Sequence, residues 1–269
     1  MKRRGFLVSS LAGASLAGIA GTGSAMSPDA GPTESSREYY ELRRYLLRRG
    51  PQQQVIDRFF HDAAIPALNR TGVRPVGVFS TIIGPGSPSL YVLTAHSSPD
   101  AAVTFHDRLS ADSDYLKSGA PFINAPATEP AYLRIESWLL AAFPGMPKLE
   151  VPPGTAANQP RIFELRTYES HSKKANRTKI EMFDKGEIAI FRRAGLRPVF
   201  FGETLVGSGI PSLIYMLAFA DMEERARSWA AFVADPEWKK LSTTPGYTDP
   251  EIVSNITNVI LSPAPYSQI

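Results

Sequence analysis

The chain has 269 residues, 43% of them apolar and 20% charged, which is the make-up of a globular protein long enough for two ordinary domains. It contains no cysteine, so disulfides, thiolate zinc sites and cysteine nucleophiles are excluded together. Lys and Arg number 29 against 26 Asp and Glu, a balance that leaves no electrostatic footprint for phosphate backbones, and nucleic acid is not an expected partner.

The first element reads as an export signal over residues 1–25. Lys2, Arg3 and Arg4 form a basic start, Gly5 to Ala20 is moderately apolar and rich in small residues, and Gly23-Ser24-Ala25 offers a cleavage point. The apolar run is too short and too weak for a durable membrane span, which needs ~20 apolar residues. Arg3-Arg4-Gly5-Phe6-Leu7 resembles the twin-arginine signal, with Lys2 standing where Ser or Thr is usual. The expected location is therefore extracytoplasmic, in the bacterial periplasm by twin-arginine export, with ordinary secretion as the rival route and an uncleaved anchor as the third reading. Removal of this segment takes away three basic residues and no acid, leaving 26 of each sign.

Residues 39–46 alternate as a strand. From Pro51 to Asn69 the apolar positions Val55, Ile56, Phe59, Phe60, Ala63, Ala67 and Leu68 recur at helical spacing, and Gly72 stops the helix. A strand follows at 73–83, a Gly84-Pro85-Gly86 turn leads to another at 89–96, a helix spans Asp100 to Leu109, and a strand at 131–141 closes the unit. The order βαββαβ is the ferredoxin-like plan, a four-stranded antiparallel sheet with both helices on one face.

The pattern then repeats. Tyr40-Glu41-Leu42-Arg43-Arg44-Tyr45 matches Phe163-Glu164-Leu165-Arg166-Thr167-Tyr168 at an offset of 123, and the same offset carries Gly72-Val73-Arg74-Pro75-Val76 onto Gly195-Leu196-Arg197-Pro198-Val199. Near the end the offset slips to 121, where Ile135-Glu136-Ser137-Trp138 meets Ile256-Thr257-Asn258-Val259. The modules are placed at 38–142 and 161–262. Between them the segment 143–160, with five prolines and two glycines, reads as a semi-rigid surface linker. A bare sheet face has to be buried, so the two modules are expected to pack sheet to sheet within the chain as a pseudo-dimeric α/β barrel, an α+β fold.

The Tyr/Phe-Glu-Leu-Arg-x-Tyr strand motif and the Gly-Val/Leu-Arg-Pro-Val step, each present twice, resemble the NIPSNAP family. The resemblance covers nearly all of residues 38–262 and implies ferredoxin-like modules of the dimeric α/β barrel type. On function it implies little: the family has no agreed enzymatic activity, and its better-known members act in protein interaction and signalling. Two features depart from the pattern. Arg44 stands where Thr167 stands in the second copy, and the export signal differs from the mitochondrial setting of the animal members.

Glu41, Arg43 and Tyr45 share one strand face, as do Glu164, Arg166 and Tyr168, and this polar face is expected to meet the partner module, with Leu42 and Leu165 under the helices. One reading is a ligand cavity in which arginine orients an anionic or carbonyl group and tyrosine donates a hydrogen bond. The other is a Glu–Arg pair that satisfies itself and fixes register. Arg74 and Arg197 recur before a proline, either as ligand clamps at the barrel mouth or as rim side chains paired to helix carboxylates. The histidines His61, His96, His106 and His171 form no ligand-spaced cluster, so no metal or other cofactor is expected. Gly84-Pro85-Gly86 and Gly207-Ser208-Gly209 join strands and open no helix, so they are hairpin turns and not phosphate cradles. Tyr115 and Trp238, after the second helix of each copy, are placed either to stack on a ligand or to anchor the loop to the core, and the second reading is preferred.

No catalytic residue is assigned. The expected function is binding of a small ligand or protein partner near the inter-module cavity, with further homo-oligomerisation open. The alternatives are a cofactor-independent monooxygenase or isomerase of the barrel type, and a purely structural interaction module without a cavity.

Overall fold

The structure is a computed structural model that describes residues 37–269; the export signal assigned to residues 1–25 lies outside them. Among the described residues no helix is long and apolar enough to cross a membrane.

The first module runs β1 (Tyr39–Leu46), α1 (Pro51–Phe59), a π-helical turn (Phe60–Ala64), α2 (Ile65–Arg70), β2 (Val76–Ile83), β3 (Ser89–His96), α3 (Pro99–Ser110), α4 (Ser113–Ile123) and β4 (Arg134–Ala142). The second runs β5 (Ile162–Glu169), α5 (Lys173–Met182), a second π-helical turn (Phe183–Glu187), α6 (Ile188–Arg193), β6 (Arg197–Val206), β7 (Ser212–Phe219), α7 (Met222–Ala234), α8 (Pro236–Ser242), α9 (Asp249–Ile252) and β8 (Asn255–Pro263). Local chemistry repeats with the topology. Gly72 and Gly195 hold φ of 86° and 84° past the ends of α2 and α6. There Val73 donates to the Leu68 carbonyl at 3.0 Å, as Leu196 does to Phe191 at 2.9 Å. Only glycine adopts this left-handed cap cheaply.

The helices α4 and α8 stand where the sequence reading places loops. Asp112 caps α4 by accepting from the Tyr115 amide, and Asp235 caps α8 by accepting from Glu237 and Trp238. Tyr115 and Trp238 do anchor these segments, packing at 5.8 Å from Phe59 and 4.3 Å from Phe232 between ring centres.

The eight strands close into one barrel in the order β1-β3-β2-β8-β5-β7-β6-β4. The modules meet edge to edge: β2 pairs with β8 (Thr81 opposite Leu261) and β4 with β6 (Ala141 opposite Glu203). Closure leaves no free sheet edge and turns both bare sheet faces inward. An eight-stranded barrel has an interior that side chains can fill. One end is filled by Tyr40 against Phe200 at 5.2 Å and Phe79 against Phe163 at 4.8 Å. The segment after β8 seals that end. Gln268 exchanges hydrogen bonds with Val76, and the Ile269 side chain is fully buried in the same apolar cluster.

Leu42 and Leu165 point into the barrel, while Glu41, Arg43, Tyr45, Glu164, Arg166 and Tyr168 lie outside it, beneath the helices. The strand alternation identifies two faces but not which one is inner, and a barrel sheathed in helices buries both. The segment 143–160 does not begin at the surface either: Phe143 and Met146 are buried in the second module's helix-side core.

Candidate functional site at the barrel mouth

Opposite the sealed end, the barrel opens into a cavity of about 240 Å³. The inward positions of β1 and β5 run Tyr40, Leu42, Arg44 and Phe163, Leu165, Thr167, so Arg44 and Thr167 reach the mouth from equivalent places. Cross-strand register sets Tyr91 and Glu136 on either side of Arg44. Arg44 Nε donates to Glu136 Oε2 at 2.8 Å and Nη1 reaches the Tyr91 hydroxyl at 3.4 Å. Its guanidinium lies 6.0 Å from the ring centres of both Tyr91 and Trp138. Burial raises the Tyr91 hydroxyl above its ordinary value, with Arg44 partly opposing the effect, so it remains a protonated donor at neutral pH.

The facing wall is different. Ile214 stands in place of Tyr91, Thr257 of Glu136 and Val259 of Trp138, so the polar side chains there are Thr167, Thr257 and, at the rim, Glu169 and Ser208. Both hairpin turns rim the cavity through Pro85, Ser208 and Gly209. Gly207 has no side chain to displace the Trp138 ring that lies against it. A Cβ at Gly84 would likewise stand 2.8 Å from Val259. Ile83, Val206 and Ile210, which flank the two hairpin turns in sequence, are exposed.

The residues expected at the site lie elsewhere. Glu164 is fully buried and accepts from Arg166 at 2.9 Å, Arg225 at 2.7 Å and Trp229 Nε1 at 2.7 Å. Burial would raise its carboxyl, but the Arg225 hydrogen bonds and the Arg166 charge hold it below the usual range. Arg166 stacks 4.6 Å from the Trp229 ring and donates to Tyr168 at 3.0 Å, completing a closed network under α7. In the first module Arg43 donates to Glu41 at 2.6 Å, Ser137 joins at 2.9 Å, and His106 contacts Arg43 where the second module has Trp229. Arg74 and Arg197 sit near the sealed end, in separate surface hollows, and neither reaches the mouth. The sequence reading thus missed Tyr91, Glu136 and Trp138 and noted Arg44 only as a difference between copies. That difference was the signal. Among the described residues no group of three His, Cys, Asp or Glu side chains is placed to hold a metal.

The NIPSNAP family model matches residues 40–128 and 163–268, one match per module. A NIPSNAP-like domain protein from Burkholderia xenovorans is 26% identical over 38% of this chain and 84% of its own, with a TM-score of 0.35. A NIPSNAP family protein of unknown function from Agrobacterium tumefaciens is 23% identical over 40% of this chain and 93% of its own, with a TM-score of 0.36. A provisionally named monooxygenase from Lactobacillus acidophilus spans 85% of this chain and 94% of its own at 10% identity and a TM-score of 0.56, a likeness of fold. No curated protein sequence matches the chain. With its family pattern present twice and both copies closing one barrel, the chain belongs to the NIPSNAP family.

Proposed function

We propose that the barrel mouth binds a small, uncharged, carbonyl-bearing aromatic molecule. One observation carries this reading: the two walls are unequal although the fold makes them equivalent, with Arg44, Tyr91 and Trp138 facing Thr167, Ile214 and Val259. Trp138 and Tyr91 supply a flat apolar surface, Arg44 and Tyr91 supply donors for one carbonyl oxygen, and the small opposite wall leaves the space. Glu136 balances the Arg44 charge, which favours an uncharged acceptor over an anion. Exposed apolar side chains flanking the two hairpin turns, Ile83, Val206 and Ile210, suit the approach of a poorly soluble molecule. We also infer export to the periplasm; that reading is supported by residues 2–25 alone.

Saturation-transfer NMR with acetophenone and 1-indanone tests the site. Binding is expected in the parent and in Arg43→Ala, and should fall at least tenfold in Arg44→Thr and Trp138→Val, each of which installs the second module's residue. Equal binding in all four proteins, or none in the parent, sinks the proposal. Consumption of oxygen or of the probe would shift the reading to the monooxygenase or isomerase alternative.

A further inference from the structure

The first module carries a second hollow, of about 360 Å³, at the opposite end of β1 from Arg44. It lies between the entrance to β2 and the start of α3, and Arg37, Arg74, Arg108 and Lys148 line it with Glu38 as the one carboxylate. A Glu38 oxygen is already engaged by the Leu149 amide at 2.7 Å. Among the described residues none of the four cations has a salt-bridge partner.

The second module supplies the internal comparison. There Arg197, the equivalent of Arg74, is held by Glu224 through two 2.6 Å hydrogen bonds. At the offset of 123 residues, Glu224 becomes Ala101, which lines the first-module hollow, and Ala231 becomes Arg108. The first module therefore has the arginine without the carboxylate and with a second arginine lining the same hollow. Gathering four like charges in a concave surface with a single carboxylate among them costs Coulomb energy. A ligand that supplies the missing negative charge removes that cost.

We propose that this hollow binds the phosphate group of a phosphomonoester, with Arg74 and Arg108 as the principal clamps and Arg37 and Lys148 completing the charge. Guanidinium forks match phosphate oxygens in pairs, and a lining of four cations against one engaged carboxylate favours a dianion over a monocarboxylate. The volume holds a phosphate and a small organic body. The site is separate from the barrel mouth and does not rest on the function proposed there.

Phenyl phosphate is the probe, with benzoate and sodium chloride at equal ionic strength as controls, read by calorimetric titration and by the thermal unfolding midpoint. Phenyl phosphate should bind and raise the midpoint, since a ligand selective for the folded state stabilises it. Affinity should fall at least tenfold in Arg74→Ala, Arg108→Ala and Ala101→Glu, and hold in Arg197→Ala and Arg44→Thr. Ala101→Glu is the decisive variant, because it rebuilds a pair that the second module already folds with. Sedimentation with phosphatidic acid vesicles, lost in Ala101→Glu, would assign the phosphate to a lipid head group; no sedimentation assigns it to a soluble ester. Unaltered phenyl phosphate affinity in Ala101→Glu and Arg108→Ala overturns the proposal, as does an equal response to chloride.

Discussion

Lys179 donates to Glu187 at 2.9 Å in the second module with both side chains sealed from solvent, at 1% and 2% exposure. The ammonium also lies 4.8 Å from the Phe183 ring centre, across the π-helical turn. At the offset of 123 residues, the first module has Ile56 and Ala64, both buried, around its own π-helical turn. The same fold thus tolerates an ion pair or an apolar pair at one place.

That internal control makes the energetics testable. Breaking a buried pair by removing one partner leaves an uncompensated charge, whereas replacing both by apolar groups is often neutral. Lys179→Ile should cost about 3–5 kcal/mol. Lys179→Ile with Glu187→Ala should lie within about 1 kcal/mol of the parent. Urea unfolding of the parent, both single variants and the double variant closes the cycle. A double variant as unstable as the sum of the singles would show that the two groups do not act as a pair.

Much of the fold was legible because its signals are local and doubled. Gly72 and Gly195 end helices, Pro51 begins one, and the Glu-Leu-Arg strand recurs in register. What was not legible is how three-dimensional closure assigns faces. Glu41 and Arg43 look like cavity residues and Leu42 like a helix contact, yet closure sends Leu42 inward and folds Glu41 under α3. The cavity side chains come from strands far apart in sequence, with Tyr91 and Glu136 flanking Arg44 only through cross-strand register. The helix α4 was hidden because Pro121 lies inside it and its apolar face is short, although Asp112 marks its start.

Export is expected to depend on the two arginines near the start. In a bacterial host with a twin-arginine route, Arg3→Lys with Arg4→Lys should hold the protein in the cytoplasm, and each single change should slow export less. Fractionation followed by immunodetection reads the outcome. Undiminished periplasmic protein from the double variant would point to the ordinary secretory route instead.

Acid should weaken the fold through His96 before it reaches the carboxylates. The His96 ring is buried, accepts or donates at 2.9 Å with Thr94, and stacks 5.1 Å from Phe105. Burial, then the Arg108 charge, lowers it to about 4. His106 is also lowered to about 4 by burial, Arg43 and His96, but its side chain is 38% exposed and its share is smaller. An unfolded histidine titrates near 6.5. Between that value and 4 the unfolded chain holds a proton that the folded chain does not, so stability rises with pH across the window. The contribution is complete above about 6.5 and is lost as pH falls toward 4. From pH 7 to pH 5 urea unfolding should show a loss of about 2 kcal/mol from His96. His96→Phe, which installs the residue at 219, should remove most of that slope while leaving stability at pH 7 nearly unchanged. An NMR titration placing His96 near 6.5 in the folded protein would contradict the buried, neutral ring on which this sign depends.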